Sequence, residues 1–249
     1  MGPKQGDEAH MDRRTDRRTP LFIVCSPLPH VGKTLLARLL ADYFQADNRT
    51  FAAFDINPDD FALAQQLPDH TSIAHISDTK GQMALFDQLI IADETSKVVD
   101  VGYRCFEQFF TILQEIDFNS EAQRKSIAPV VMFIAEQDER SMQAYTALAE
   151  RFPDLPLVPV LNTGAGTVAR SRDSFRSKYA TIPLQIPFLP PALKTALQRS
   201  ALPTPANDRR PAGSIADLQT WSRRVFLQFR ELELRLLLEE LMPTLQLRA

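Results

Sequence analysis

The chain has 249 residues, 44% of them hydrophobic, and a formal net charge of −3. That is enough apolar material for a full core, and the charge balance excludes a generally basic, nucleic-acid-coating surface while leaving room for a local patch. Two cysteines (Cys25, Cys105) and four scattered histidines exclude a disulfide framework and give no metal-ligand spacing; with no transmembrane-length apolar run and no hydrophobic signal segment, a cytoplasmic protein is expected.

Residues 1–19 are polar, their arginines (Arg13, Arg14, Arg17, Arg18) diluted by Asp7, Glu8, Asp12 and Asp16. A disordered leader is expected there, in preference to a basic arm for nucleic acid or lipid. From 20 to 200, short apolar runs alternate with amphipathic stretches. Strands are predicted at 21–25, 51–55, 97–101, 129–135, 157–161 and 182–186, and helices at 33–46, 80–92, 103–116, 138–151 and 191–199. Strand–helix alternation with fully apolar strands predicts an α/β fold, a mostly parallel, doubly wound sheet covered on both faces. Ligands in such sheets bind beyond the carboxyl ends of the strands.

The Pro-rich stretch 201–213 reads as a linker, and 214–249 as a C-terminal amphipathic helix. Ser214 is its expected cap, with Asp217 at capping-box distance, and Pro243 its expected end. Leu218, Trp221, Val225, Leu232 and Leu236 lie at helical spacing, and Leu227, Leu234, Leu237, Leu238 and Leu241 widen the stripe. Packing on the parent domain or a dimer seam is the favoured use of that face. A membrane-surface helix is disfavoured, because Glu231, Glu233, Glu239 and Glu240 offset Arg223, Arg224, Arg230 and Arg235.

The chemistry concentrates in LFIVCSPLPHVGKTLLARLLADYF, residues 21–44. A buried strand runs into a tight loop and then an amphipathic helix, with Gly32-Lys33-Thr34 at the junction. Helix N-terminal amides and the helix dipole favour an anion there. A lysine reaches terminal phosphates and a threonine hydroxyl can ligate magnesium. The pattern G-x-x-x-x-G-K-[ST] would place glycine at 27, where the chain has Pro27. Pro27 and Pro29 donate no amide, whereas His30, Val31, Gly32, Lys33, Thr34 and Leu35 all keep theirs. The competing reading, an accidental Gly-Lys-Thr in a strand–turn–helix, is weakened by its placement directly after LFIVC.

A phosphate loop needs a carboxylate at the end of another strand to order magnesium through water. Asp100 ends the run KVVDV and is followed by Gly102; capping a helix near Tyr103 is the alternative. Asp55, in Phe54-Asp55-Ile56-Asn57-Pro58, is a second candidate for a water- or magnesium-facing acid, while Asp59 or Asp60 can cap the next helix. Asn162, before Thr163-Gly164, ends a strand with an amide able to donate to and accept from a purine edge, or simply turns the chain. Ile186-Pro187-Phe188-Leu189-Pro190 offers either a purine-facing wall or apolar turn packing.

This ordered set resembles the ParA/MinD-type family of deviant-Walker P-loop ATPases over residues 21–200. The family's K-G-G-x-G-K-[ST] aligns with Leu28-Pro29-His30-Val31-Gly32-Lys33-Thr34, its D-x-D-P with Asp55-Ile56-Asn57-Pro58, its switch II aspartate with Asp100, its base-binding asparagine with Asn162 and its late I-P with Ile186-Pro187. The resemblance implies a P-loop NTPase sheet, ATP and Mg2+ as cofactors, and a homodimer formed on ATP binding that acts as a partition or positioning switch. It also implies a protein partner that stimulates turnover, with DNA as a possible cargo that the charge does not indicate. Lys33, Asp55 and Asp100 take the catalytic positions, Thr34 and Asp100 (through water) the metal, and His30 to Leu35, Asn162 and Pro187 the nucleotide.

Three residues depart from that family pattern. Leu28 replaces the lysine that reaches the partner's nucleotide, Asn57 replaces an aspartate implicated in ordering the attacking water, and Pro29-His30 replaces the paired glycines. Slow or partner-dependent hydrolysis is expected, since a missing charge at a phosphoryl transition state costs on the order of a thousandfold. A pseudo-NTPase scaffold and a dethiobiotin synthetase-like enzyme are the alternatives, and no residue cluster marks a small-substrate pocket for the last.

Overall fold

The computed structural model describes residues 18–58, 60–165, 175, 183–191, 193–194, 197 and 212–246, with the backbone alone at 165, 212–215 and 241–246. Seven strands form one sheet: β1 (Thr19–Cys25), β2 (Phe51–Ile56), β3 (Thr71–Ile73), β4 (Ser96–Val101), β5 (Ile127–Ile134), β6 (Leu157–Asn162) and β7 (Leu184–Ile186). Their spatial order is β3-β2-β4-β1-β5-β6-β7, and every pairing is parallel. After β1 the chain works outward on one side and returns through β4; it then crosses to the other side with β5. The direction of winding therefore reverses around β1, and the crevice above that point is where such sheets take ligands.

Helices α1 (Lys33–Ala46), α2 (Ala62–Gln66), α3 (Thr79–Leu89), α4 (Phe106–Glu115), α5 (Phe118–Arg124), α6 (Glu139–Arg151) and α7 (Ala212–Gln246) cover it. Because side chains alternate across a strand, β1 serves two cores. Phe22 and Val24 pack with Leu36, Leu39 and Leu40 of α1 and with Trp221 and Phe229 of α7. Leu21, Ile23 and Cys25 face α3, α4 and α6 through Phe86, Phe109, Phe110 and Tyr145. The doubly wound expectation holds on both faces.

Several boundaries differ from the sequence reading. The expected helix 103–116 starts only at Phe106, which leaves Gly102–Cys105 as a turn closed by a Cys105 N–H to Gly102 carbonyl bond of 2.9 Å. β3 and α5 were not expected, and α2 answers to the helix expected after Asp60, for which no bounds were predicted. The leader lies outside the described residues up to 17, and so do 201–211 of the linker; 191, 193, 194 and 197 are helical, the rest of 191–199 being outside.

α7 corrects two expectations at its ends. It begins at Ala212, so Ser214 lies inside it and is no cap, and it runs past Pro243 to Gln246. Its buried stripe is Leu218, Trp221, Val225, Phe229 and Leu232; Leu227, Leu234, Leu237 and Leu238 are exposed. At about 2 kcal/mol of gross burial per large apolar side chain, that stripe outweighs the surface ion pairs of the same helix, each worth under about 1 kcal/mol. Polar ties fix its rotation. Glu233 accepts from Tyr43 Oη at 2.7 Å and from Arg49 at 2.8 Å. Gln228 both accepts from the Gln185 N–H at 2.8 Å and donates to its carbonyl at 2.9 Å. Phe229→Ala removes a ring packed edge-on against Tyr43 at 5.7 Å. It is expected to lower unfolding free energy by about 3–4 kcal/mol in chemical denaturation, with the far-UV spectrum at zero denaturant retained.

Candidate functional site

β1 delivers the chain to the top of the sheet at Cys25, and α1 leaves again at Lys33. Between them, Pro27 is buried and Leu28 is half-buried against the α1–α7 core. Gly32 ends the loop with φ 101°, and its carbonyl accepts the Leu36 N–H at 3.0 Å, the first turn of the helix. A Cβ at this position would overlap the Asn162 side-chain amide. Only glycine meets both the backbone and the space requirement. Gly32, Lys33, Thr34 and Leu35, where α1 begins, line the cleft described below, and the first amides of a helix have no partner within it.

Lys33 follows, buried, with Nζ donating to the Leu28 carbonyl at 2.7 Å and standing 5.8 Å from the Tyr103 ring centroid. Burial pushes its pKa down, and the neighbouring Asp100 pulls it back up. The lysine thus lies folded over its own loop. Thr34 Oγ1 donates to Asp100 Oδ2 at 2.6 Å, joining the start of α1 to the end of β4. The other Asp100 oxygen, Oδ1, is buried with no hydrogen-bond partner. Burial raises the Asp100 pKa to about 7, with the Thr34 bond opposing and Asp55 reinforcing the shift.

Asp55 stands beside Asp100 in the β2–β4 register. It is fully buried and both its oxygens are engaged. Oδ2 accepts the Leu63 and Ala64 amides at 3.0 and 3.2 Å, and Oδ1 accepts Asn57 Nδ2 at 2.6 Å. Asp55, rather than Asp60, therefore caps α2; Asp59 lies outside the described residues. Asn162 Nδ2 donates to the Val31 carbonyl at 2.8 Å, while its Oδ1 accepts the Gly164 N–H at 3.1 Å. Its nitrogen thus ties the loop to the end of β6, and its oxygen holds the turn that follows β6.

Lys33, Thr34 and Asn162 meet at a cleft of about 1030 Å³, while Asp55 and Asp100 are fully buried and do not line it. Of the expected residues, His30, Gly32, Lys33, Thr34, Leu35 and Asn162 line it; Phe188 and Leu189 line it where Pro187 does not, and Val31 is buried behind. Sequence reasoning missed Tyr103, Arg104 and Lys194 on its walls. The signal for the first two was the expected strand end at 101, followed at once by Gly102.

A hydroxyl and a carboxylate with one buried unsatisfied oxygen fit a hard divalent cation such as Mg2+. No group of three His, Cys, Asp or Glu side chains converges on a metal position among the described residues. An ion held here would draw its remaining ligands from phosphate and water.

No protein family matches the chain, and no curated protein matches it by sequence. Among solved structures it is similar to the MinC:MinD cell division protein complex of Aquifex aeolicus, with 13% identity and a TM-score of 0.38, over 83% of this chain and 95% of that one. No helix among the described residues is long and apolar enough to cross a membrane.

The Asp100 environment makes a pH prediction. The folded protein holds this proton more tightly than the unfolded chain, so the protein loses stability as pH rises from about 4 to about 7. Asp100→Asn keeps an acceptor for Thr34 and removes the titration. The variant's stability advantage over wild type is expected to grow across that window by an amount on the order of 4 kcal/mol and to level off above it. Denaturant midpoints taken at matched pH values measure the difference.

Proposed function

We propose that the cleft binds ATP with magnesium and that the protein is a ParA/MinD-like nucleotide switch with weak or partner-stimulated ATPase activity. The single observation that carries the reading is the Thr34–Asp100 hydrogen bond at the N-terminus of α1, with Asp100 Oδ1 buried and unsatisfied beside it. A buried carboxylate oxygen without a donor costs about 1–3 kcal/mol or more, a cost that a hydrated cation in the site would relieve. In this reading the first-turn amides of α1 and the helix dipole hold the inner phosphates. Lys33 leaves the Leu28 carbonyl for the terminal phosphate. Thr34 supplies its hydroxyl, and Asp100 orders water; positive charge nearby favours its ionised form. Magnesium, when bound, neutralises charge on the phosphates. Asp55 acts at one remove, through its field on Asp100 and its hold on Asn57.

Turnover is the weaker half of the activity. Leu28 packs into its own core and carries no charge to a partner's nucleotide. Asn57 is no base, and its amide is donated to Asp55. An ATP-induced homodimer and a protein partner that accelerates hydrolysis complete the proposal, with the sheet, the cleft and the resemblance of the ordered motifs as its support.

One observation favours a second reading, a scaffold that acts through protein contacts. Lys33 is already hydrogen-bonded within its loop, so its ammonium has a partner without a ligand. Calorimetric titration of MgATP into the wild type and Lys33→Ala separates the two. Micromolar binding is expected for the wild type, weakened by about 10- to 100-fold or abolished in the variant. A folded wild-type protein that takes up no ATP would leave the scaffold reading in possession.

A further inference from the structure

Arg104 sits on the turn between β4 and α4 and lines the same cleft as Lys33 and Thr34. Its Nε donates to Tyr103 Oη at 3.0 Å, and its guanidinium carbon lies 5.7 Å from the Tyr103 ring centroid. Lys33 Nζ lies 5.8 Å from that same centroid. Both cations thus neighbour one aromatic ring, and all three side chains line the cleft. An anion taken into the cleft is attracted by both charges.

The charge around the opening points the same way. Among the described lining residues, Lys33, Arg104 and Lys194 face the carboxylate of Asp60 alone, in a chain whose net charge is −3. The described lining is thus net positive, with the buried Asp55 and Asp100 behind it, and a cleft focuses the field of its walls. The turn that carries Arg104 is also held at its start. Gly102 donates its N–H to the Ile56 carbonyl at 2.9 Å, and a Cβ on Gly102 would meet Asn57 Oδ1 at 2.6 Å and the Ile56 carbonyl at 2.7 Å. The close approach clamps the end of β4 to the end of β2, two residues before Arg104.

We propose that Arg104 reads the terminal phosphate of a nucleoside triphosphate in this cleft, from within the same chain, so that the site distinguishes triphosphate from diphosphate. This rests on the nucleotide-binding reading above. A guanidinium presents donors in a rigid fork that matches phosphate oxygens, which a leucine at position 28 cannot do. Tyr103 is the resting place from which the fork is delivered, its hydroxyl exchanged for a phosphate oxygen.

The test is calorimetric titration of MgATP and, separately, MgADP into the full chain as wild type, Arg104→Ala, Arg104→Lys and Lys33→Ala. The wild type is expected to bind ATP more tightly than ADP. Arg104→Ala is expected to weaken ATP by about 10- to 100-fold while leaving ADP within about twofold, the scale of a lost general field. Arg104→Lys falls between, and Lys33→Ala weakens both nucleotides. The Arg104 variants are expected to melt with the wild type, because the side chain is exposed. An unchanged ATP-to-ADP ratio in Arg104→Ala, or equal weakening of both nucleotides, overturns the role of Arg104 and leaves nucleotide binding standing. A folded wild type that binds neither nucleotide overturns both.

Discussion

The hydrogen bond from Thr34 to Asp100 spans 66 residues of sequence and 2.6 Å of space. It can form only because β4 lies against β1 in parallel, with Val24 opposite Asp100. That pairing in turn depends on the chain leaving β1, forming β2 and β3 to one side, and returning to the place next to where it started. Shift β4 by one residue and Asp100 would point to the opposite face of the sheet. The apolar strands that hold register on both faces are thus what keep a threonine and an aspartate within reach of each other.

The same loop is held from the other side of the sheet. Asn162 at the end of β6 binds the Val31 carbonyl, and its amide fills the space that a side chain at residue 32 would need. The loop is consequently gripped between β4 and β6, both of which are separated from β1 by at most β5. Its two prolines fit this arrangement. A loop that is gripped at both ends has little use for the freedom of paired glycines, and fixed φ angles reduce what ordering it costs.

The long apolar strands and α1 were legible in the sequence because each is long enough to show its period. The bounds of α2, and β3 and α5 altogether, were not, these elements having five, three and seven residues respectively, too few to separate a helix from a strand by pattern. The site followed the same division. Lys33, Thr34 and Asp100 could be placed from their positions at element ends. The contacts of Asp55 could not, because its partners are the amides of a helix whose five residues are too few to fix its bounds from pattern. Arg104 was hidden by a boundary three residues out, since a residue assigned to a helix is not sought on a cleft wall.

Gln228 carries a consequence beyond holding α7. β7 is the last strand of the sheet, and Gln228 matches both backbone groups of Gln185 as a neighbouring strand would. A side-chain amide here seals a border that would otherwise recruit another polypeptide. A chain cut short before this helix would therefore fail in a particular way: its sheet would become adhesive along β7. Loss of the C-terminus would show itself as self-association and poor recovery before any defect in the cleft could be measured.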